Sequence, residues 1–388
     1  MDRNEQISFA VESLLYSRPL EFGTLGGLLD EVLRSGVREV RVKLLISEPS
    51  LASVFLSATS TIRGTIVPTF VTETAIAGRV SGRFGRAPVQ TVDGQFAAVR
   101  HPTVPLVWLV ITDATTDFLA RPFRYFLRAS HPRPTAPILR TPQLQALVDN
   151  LVERVHVSDG ATRQPVRITQ LGYRSRISSE GAEKVVERDR KWTDLSVEEA
   201  FSEALNEGQW VTDVGVQYPD PYYPARRGRA RIGRYSVFTF TRSATPAFDA
   251  FITPAAEMAQ QWYGFLKDRA RRAANRFTTH PFRIDFGYPV LSSREQIELL
   301  GKVLRGMPSV TCTVLHGNPY FHAVMLDYRD GSTYEILVSD DQGLNIIPQG
   351  RSTVKALQRV CSKVFADFRE GELIDAGQPD PAGGTPRV

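Results

Sequence analysis

From Phe282 to Phe368 the apolar residues change period in a set order, and that order limits the fold more than any other feature of the chain. Alternation marks strands at Phe282–Phe286, Val310–Leu315, Tyr320–Tyr328 and Tyr334–Ser339. Spacing of three and four residues marks helices at Ser293–Leu304 and Ser352–Phe368. Arg329-Asp330-Gly331-Ser332 separates the last two strands, and its Asp-Gly pair supplies the positive-φ positions of a tight hairpin. The series predicts an α/β unit.

A chain of 388 residues is longer than one typical core, so several domains are expected. Upstream, Ile7–Leu15 and Leu25–Arg34 read as helices, the second stopped at Gly36, and Val37–Ile46 as a strand with Val40, Val42 and Leu44 on one face. Val54–Ala58 and Thr65–Val71 read as short strands and Ile76–Arg86 as an exposed loop. Val89–Val92, Gln95–Arg100 and Leu106–Thr112 follow as strands, the last apolar enough to be central, and Asp117–Ala129 as a helix. Three prolines in residues 131–137 then predict a linker. Beyond it come a helix at Pro142–Val152, a strand at Val166–Arg174, a charged stretch at Ser178–Arg190 and a helix at Leu195–Asn206 capped by Asp194 or Ser196. Strands at Gln209–Tyr218 and Arg229–Arg242 precede the longest helix, Pro246–Asn275, whose Phe248, Phe251, Ala255, Met258, Trp262 and Phe265 form one apolar stripe. The expected organisation is a first α/β half over 1–130, an inserted basic α+β domain over 139–280, a second α/β half over 281–370 and a disordered tail over 371–388.

The formal charge of +5 is concentrated. Pro219–Arg276 holds eleven Arg and Lys against four Asp and Glu, which leaves the remainder slightly acidic. Local basicity points to an anionic partner more than to solubility. Arg226-Arg227-Gly228-Arg229-Ala230-Arg231-Ile232-Gly233-Arg234 follows a loop holding Tyr222 and Tyr223. On a strand, Arg227, Arg229 and Arg231 share a face, where like charges repel unless an anion relieves them. The tyrosines suit stacking on unpaired bases. Arg269, Arg271, Arg272 and Arg276 end the long helix, where cations also simply stabilise a C-terminus. These arginines and tyrosines are the candidate DNA- or RNA-binding residues.

The first and last parts of the chain also align. Leu28–Arg34 matches Leu299–Arg305, and Val40, Val42 and Leu44 then fall on Val310, Cys312 and Val314. Phe96-Ala97-Ala98-Val99 parallels Phe321-His322-Ala323-Val324, and Val110–Asp113 parallels Leu337–Asp340. Two related α/β halves are therefore expected. This order, with Gly36–Val42 as a helix-to-strand turn, resembles the phospholipase D-like superfamily, in which each half offers a His-x-Lys strand. The resemblance implies that His322 takes the histidine position and Val338-Ser339 the Gly-Ser position. The lysine position is Val324, and Ala97 and Val99 replace His and Lys in the first half. Without the second acid and the cations that hold the transition-state charge, such a copy would be non-catalytic.

His322 has two readings, a strand histidine satisfied by one hydrogen bond and a catalytic nucleophile. Asp340-Asp341 can hold a cation or form a turn. His101, His131 and His280 each precede proline as turn residues, and no metal spacing, glycine-rich phosphate loop or nucleophile elbow occurs. No metal or other cofactor is expected. Cys312 and Cys361, the two cysteines, read as small buried hydrophobes in a reducing, cytoplasmic setting. Neither a membrane span nor the order of a secretion signal is visible. The sequence thus suggests a non-catalytic nucleic-acid-binding subunit of a nucleic-acid-processing or defence assembly. The alternatives are a phosphodiesterase or nuclease using His322, and a scaffold whose arginines meet acidic proteins.

Overall fold

The computed structural model describes residues 22–56, 60–61, 64–84, 90–130, 133–158, 166–179, 182–206, 209–220, 226–270, 279–317 and 320–376. The expectations for Ile7–Leu15, His131 and Gln378–Val388 lie outside them. The chain divides into two compact units, Met1–Arg176 with Val186–Gln260, and Ile177–Val185 with Gln261–Val388.

In chain order, α1 (Phe22–Arg34), β1 (Val40–Ile46) and α2 (Leu51–Leu56) precede β2 (Ser60–Thr61), β3 (Gly64–Val71), β4 (Ala75–Phe84), β5 (Gln90–Arg100) and β6 (Val107–Thr112). Thr116–Phe118 and a π-helical turn at Leu119–Phe123 run into α3 (Arg124–Ala129). Pro122 in that turn cannot donate a backbone hydrogen bond, which accounts for the interrupted helix. There follow α4 (Thr141–Ser158), β7 (Arg167–Ser179), β8 (Ala182–Leu195), α5 (Val197–Asn206), β9 (Trp210–Pro219), β10 (Arg227–Gly233), β11 (Val237–Thr241) and α6 (Thr245–Arg269).

These strands form one sheet in the order β2-β3-β4-β5-β6-β1-β11-β10-β9-β7-β8. The linker expected at residues 131–137 is no domain boundary. Ile46 and Thr135 exchange backbone hydrogen bonds of 2.7 and 3.0 Å, and β11 pairs with β1. Residues 139–241 therefore extend the sheet, because β1 has a second edge whose backbone groups need partners. Other local corrections follow from pairing. Ile76–Arg86 is mostly β4, clamped between β3 and β5 with Ile76 and Val80 in the core. Val54–Ala58 belongs largely to α2. Arg229–Arg242 is two strands, broken at Arg234-Tyr235-Ser236, where Ser236 takes φ +55°.

Helices cover both faces of this sheet. Phe55, Phe96, Phe118 and Phe123 meet at ring separations of 5.3 to 6.0 Å and pack α2 and the π turn onto β5. On the side of Val40, Val42 and Leu44, α6 stacks Phe251 on Phe238 and sets Phe248 at a tilt against Phe240. The start of α6 is held by Asp30 of α1, a residue 1% exposed. Its carboxylate accepts from the Ala244 and Thr245 amides and the Thr245 hydroxyl.

The second unit has a sheet in the order β13-β14-β15-β16-β12-β17, from β12 (Phe282–Asp285), β13 (Val310–His316), β14 (Phe321–Asp327), β15 (Ser332–Val338), β16 (Gly343–Pro348) and β17 (Glu372–Asp375). Its helices are α7 (Arg294–Arg305) and α8 (Val354–Asp367). A capping box starts α7: the Gln296 amide donates to the Ser293 hydroxyl, and the Ser293 amide to the Gln296 side chain. Phe321, Ala323, Met325, Tyr334, Ile336, Leu344 and Ile346 are buried on one face of the sheet. The β14–β15 turn has Gly331 at φ +69° and no positive φ at Asp330, so only the glycine supplies the left-handed position. Asp330 instead accepts from Thr353 at 2.6 Å and Arg359 at 2.9 Å.

All pairings from β2 to β7 in the first sheet and all in the second are antiparallel. The class is therefore mixed α+β rather than α/β, since these neighbouring strands run antiparallel and not as the parallel pairs that βαβ crossovers make. The two aligned segments also differ in strand order: β1 pairs with β6, whereas its counterpart β13 pairs with β14. None of the described helices is long and apolar enough to cross a membrane.

Candidate nucleic-acid interface

β10 lies between β9 and β11 and alternates cleanly. Gly228, Ala230 and Ile232 are buried, Arg227 is half-buried, and Arg229 and Arg231 are exposed. The three arginines thus share the open face, roughly 7 Å apart along the strand. Gly228 lets β10 lie close over the Tyr218 ring, because a Cβ there would meet Tyr218 Cε2 at 2.4 Å. The Tyr218 hydroxyl in turn donates to the Ser243 carbonyl, which fixes the ring.

The cross-strand neighbours differentiate the row. Arg229 faces Gln217 on β9 and Thr241 on β11, both neutral. Arg231 Nε donates to Asp213 Oδ1 at 2.7 Å. That carboxylate raises the Arg231 pKa, opposed by burial and reinforced by Asp189 and Glu187. Arg231 is therefore partly neutralised, while Arg229 projects beside polar groups. Arg226, just before the strand, is also exposed.

Two predicted members leave this surface. Arg234 is 1% exposed, in the turn after β10, where its amide donates to Thr212 and its carbonyl accepts from Leu139. A turn that must bury its backbone against β9 and residue 139 draws the side chain inward. Arg269 belongs to the second unit, is buried, and pairs with Asp375 while its guanidinium lies 3.4 Å over the Phe265 ring. It ties the last turn of α6 to β17 within that unit and offers nothing to a surface ligand. Tyr222, Tyr223, Arg271, Arg272 and Arg276 lie outside the described residues.

β1 adds two cations on the same side of the sheet, signalled in the sequence by alternation with Val40, Val42 and Leu44. Arg41 pairs in register with Thr239, itself opposite Arg231, and Lys43 with Val237. Arg41 is buried and bound to Glu39 and the Ala114 carbonyl. Lys43 Nζ donates to the Tyr235 carbonyl at 3.3 Å. Burial, and then the Arg124 charge, pull its pKa down to about 8.

In the second unit His322 Nε2 lies 3.2 Å from Glu335 Oε2 on the next strand. His316 is the register partner of His322 on the other side. Asp340 accepts from Arg283 at 2.8 Å and from the Gln342 amide at 2.9 Å, so Asp340-Asp341 is a turn held by an ion pair. Among the described residues no group of three or more His, Cys, Asp and Glu is arranged to hold a metal ion. Cys361 is fully buried and Cys312 half-buried, and burial raises both thiol pKa values.

No protein-family model matches the sequence, and no curated protein matches it.

Proposed function

We propose that the chain is a nucleic-acid-binding protein, acting as a non-catalytic subunit of a nucleic-acid-processing or defence assembly, and that it contacts the phosphate backbone through the open face of β9, β10 and β11. The observation that carries the reading is Arg227, Arg229 and Arg231 on one face of β10, with Arg229 and Arg231 exposed and Arg231 bound to Asp213. Evenly spaced guanidiniums beside neutral Gln217, Thr239 and Thr241 suit a row of phosphates and carry no base readout. Neutralising two or three phosphates should weaken binding roughly 10- to 40-fold between 50 and 200 mM salt. Arg229→Ala should lower affinity for all sequences alike and reduce the salt slope by about one. Asp213→Asn, which releases Arg231, should tighten binding. Absence of binding at low salt, or a slope untouched by Arg229→Ala, rejects the proposal.

A second reading has its own observation. His316 beside His322, with Glu335 bound to the latter, puts two imidazoles on neighbouring strands, as a phosphodiesterase related to the phospholipase D-like enzymes would use. One would attack phosphorus and the other protonate the leaving oxygen. Hydrolysis unaffected by His322→Ala rejects it. The scaffold reading would instead be supported by a protein partner that remains bound after nuclease treatment.

A further inference from the structure

Among the described residues β13 is one edge of the second sheet, and up to Val314 it carries none of the charges, prolines or bulges that usually guard an edge strand. Val310–Leu315 contains no charged residue and no proline. Thr311, Thr313, Val314 and Leu315 are exposed. The opposite edge, β17, is guarded, with exposed Glu372 and Asp375. Two copies of β17 placed side by side would oppose acids, and two copies of β13 would not.

The hydrogen-bond phase shows which backbone groups β13 offers. The Tyr328 amide donates to the Ser309 carbonyl at 3.0 Å, and Val310 is in register with Asp327. Ser309 and Tyr328 are thus a hydrogen-bonded pair, and so in turn are Thr311 with Leu326 and Thr313 with Val324. The amides and carbonyls of Val310, Cys312 and Val314 therefore point away from β14. These three outward residues sit in the run Val310-Thr311-Cys312-Thr313-Val314, which reads the same in both directions.

We propose that this palindromic edge pairs with a second copy of itself. A two-fold axis at Cys312 sets the two strands antiparallel, with Val310 opposite Val314 of the second copy. Thr311 then lies opposite Thr313 of the second copy, and Cys312 opposite its own equivalent. All three outward residues become hydrogen-bonded pairs, giving six interchain hydrogen bonds, and the two threonine pairs line one face. The symmetry follows from the residues, since any other antiparallel register leaves at least one outward amide and carbonyl unmatched. The exposed Leu315 extends the apolar contact at each end. The bulge at Leu315 terminates the pairing beyond Val314.

The test is sedimentation of the full chain over a concentration series. A species of twice the chain mass is expected. Val314→Pro deletes an outward amide without touching the bonds to β14, and Thr313→Lys sets two cations diagonally across the axis. Each should weaken association at least tenfold while the circular dichroism spectrum is unchanged. A short bismaleimide should join two chains through Cys312, about 5.5 Å from its equivalent between Cα atoms, and Cys312→Ala should abolish the product. A monomer at every concentration overturns the proposal. So does a dimer that neither substitution weakens, or a cross-link that survives Cys312→Ala.

Discussion

Asp30 is the residue whose replacement should most damage the first unit. It lies on α1, yet its carboxylate accepts from the Ala244 and Thr245 amides and the Thr245 hydroxyl at the start of the 25-residue α6. At 1% exposure, solvent cannot replace it. Asp30→Ala leaves buried donors unpaired and removes a negative charge from a helix N-terminus. Hydrogen bonds to a charged group contribute about 1.5–3 kcal/mol each, and the charge–dipole term about 0.3–2 kcal/mol. The carboxylate's own desolvation offsets part of this, so a net loss of about 3–5 kcal/mol is expected. Asp30→Asn keeps one acceptor oxygen but aims an amide at remaining donors, and should cost about half as much. Urea unfolding followed by tryptophan fluorescence is the assay, because Trp108 and Trp210 are both buried in this unit. An Asp30→Ala midpoint within about 0.5 kcal/mol of the parent would show that α6 is held by its apolar stripe alone and refute the reasoning.

Two groups should make stability depend on pH. Burial lowers the His101 pKa from 6.5 to about 4, and its Nδ1 accepts from the Val104 amide at 3.1 Å. The folded chain takes up this proton later than the unfolded one, so stability should fall as pH drops from 6.5 towards 4, by up to about 3 kcal/mol. His101→Asn, which keeps an acceptor near the Nδ1 position, should flatten that limb, and an unchanged acid profile would discount His101. Lys43 is held near 8 against an unfolded 10.5, so its cost is present at neutral pH and relieved as pH rises through that window. Lys43→Met should stabilise the protein at pH 7 by on the order of 1–3 kcal/mol, with the gain shrinking above pH 9; a gain that is equal at both pH values would place the cause elsewhere.

Local periodicity carried much of the structure. The second unit was legible almost element by element, because α7 has its Ser293–Gln296 cap, β14 and β15 alternate, and Gly331 marks their turn. β16 and β17 were not legible: Gly343–Pro348 begins in a turn and ends on proline, and β17 is four residues long. In the first unit, alternation put Arg227, Arg229 and Arg231 on one side of β10, and the glycines of β4 hid a strand that only its neighbours stabilise.

What residue order settled by itself was which side chains share a face, since the periods of helix and strand are properties of the local backbone. Which strand lies beside which was settled only by tertiary pairing: β11 joins β1 across nearly 200 residues, and Asp30 reaches the start of α6 across 214. The same long-range contacts decided the fate of each arginine. Arg229 stays exposed because Gln217 and Thr241 flank it, Arg231 is bound because Asp213 lies diagonally opposite, and Arg234 is buried because the turn beneath it closes on β9. Charge is written in the chain, but its availability to a ligand depends on partners that a one-dimensional pattern does not contain.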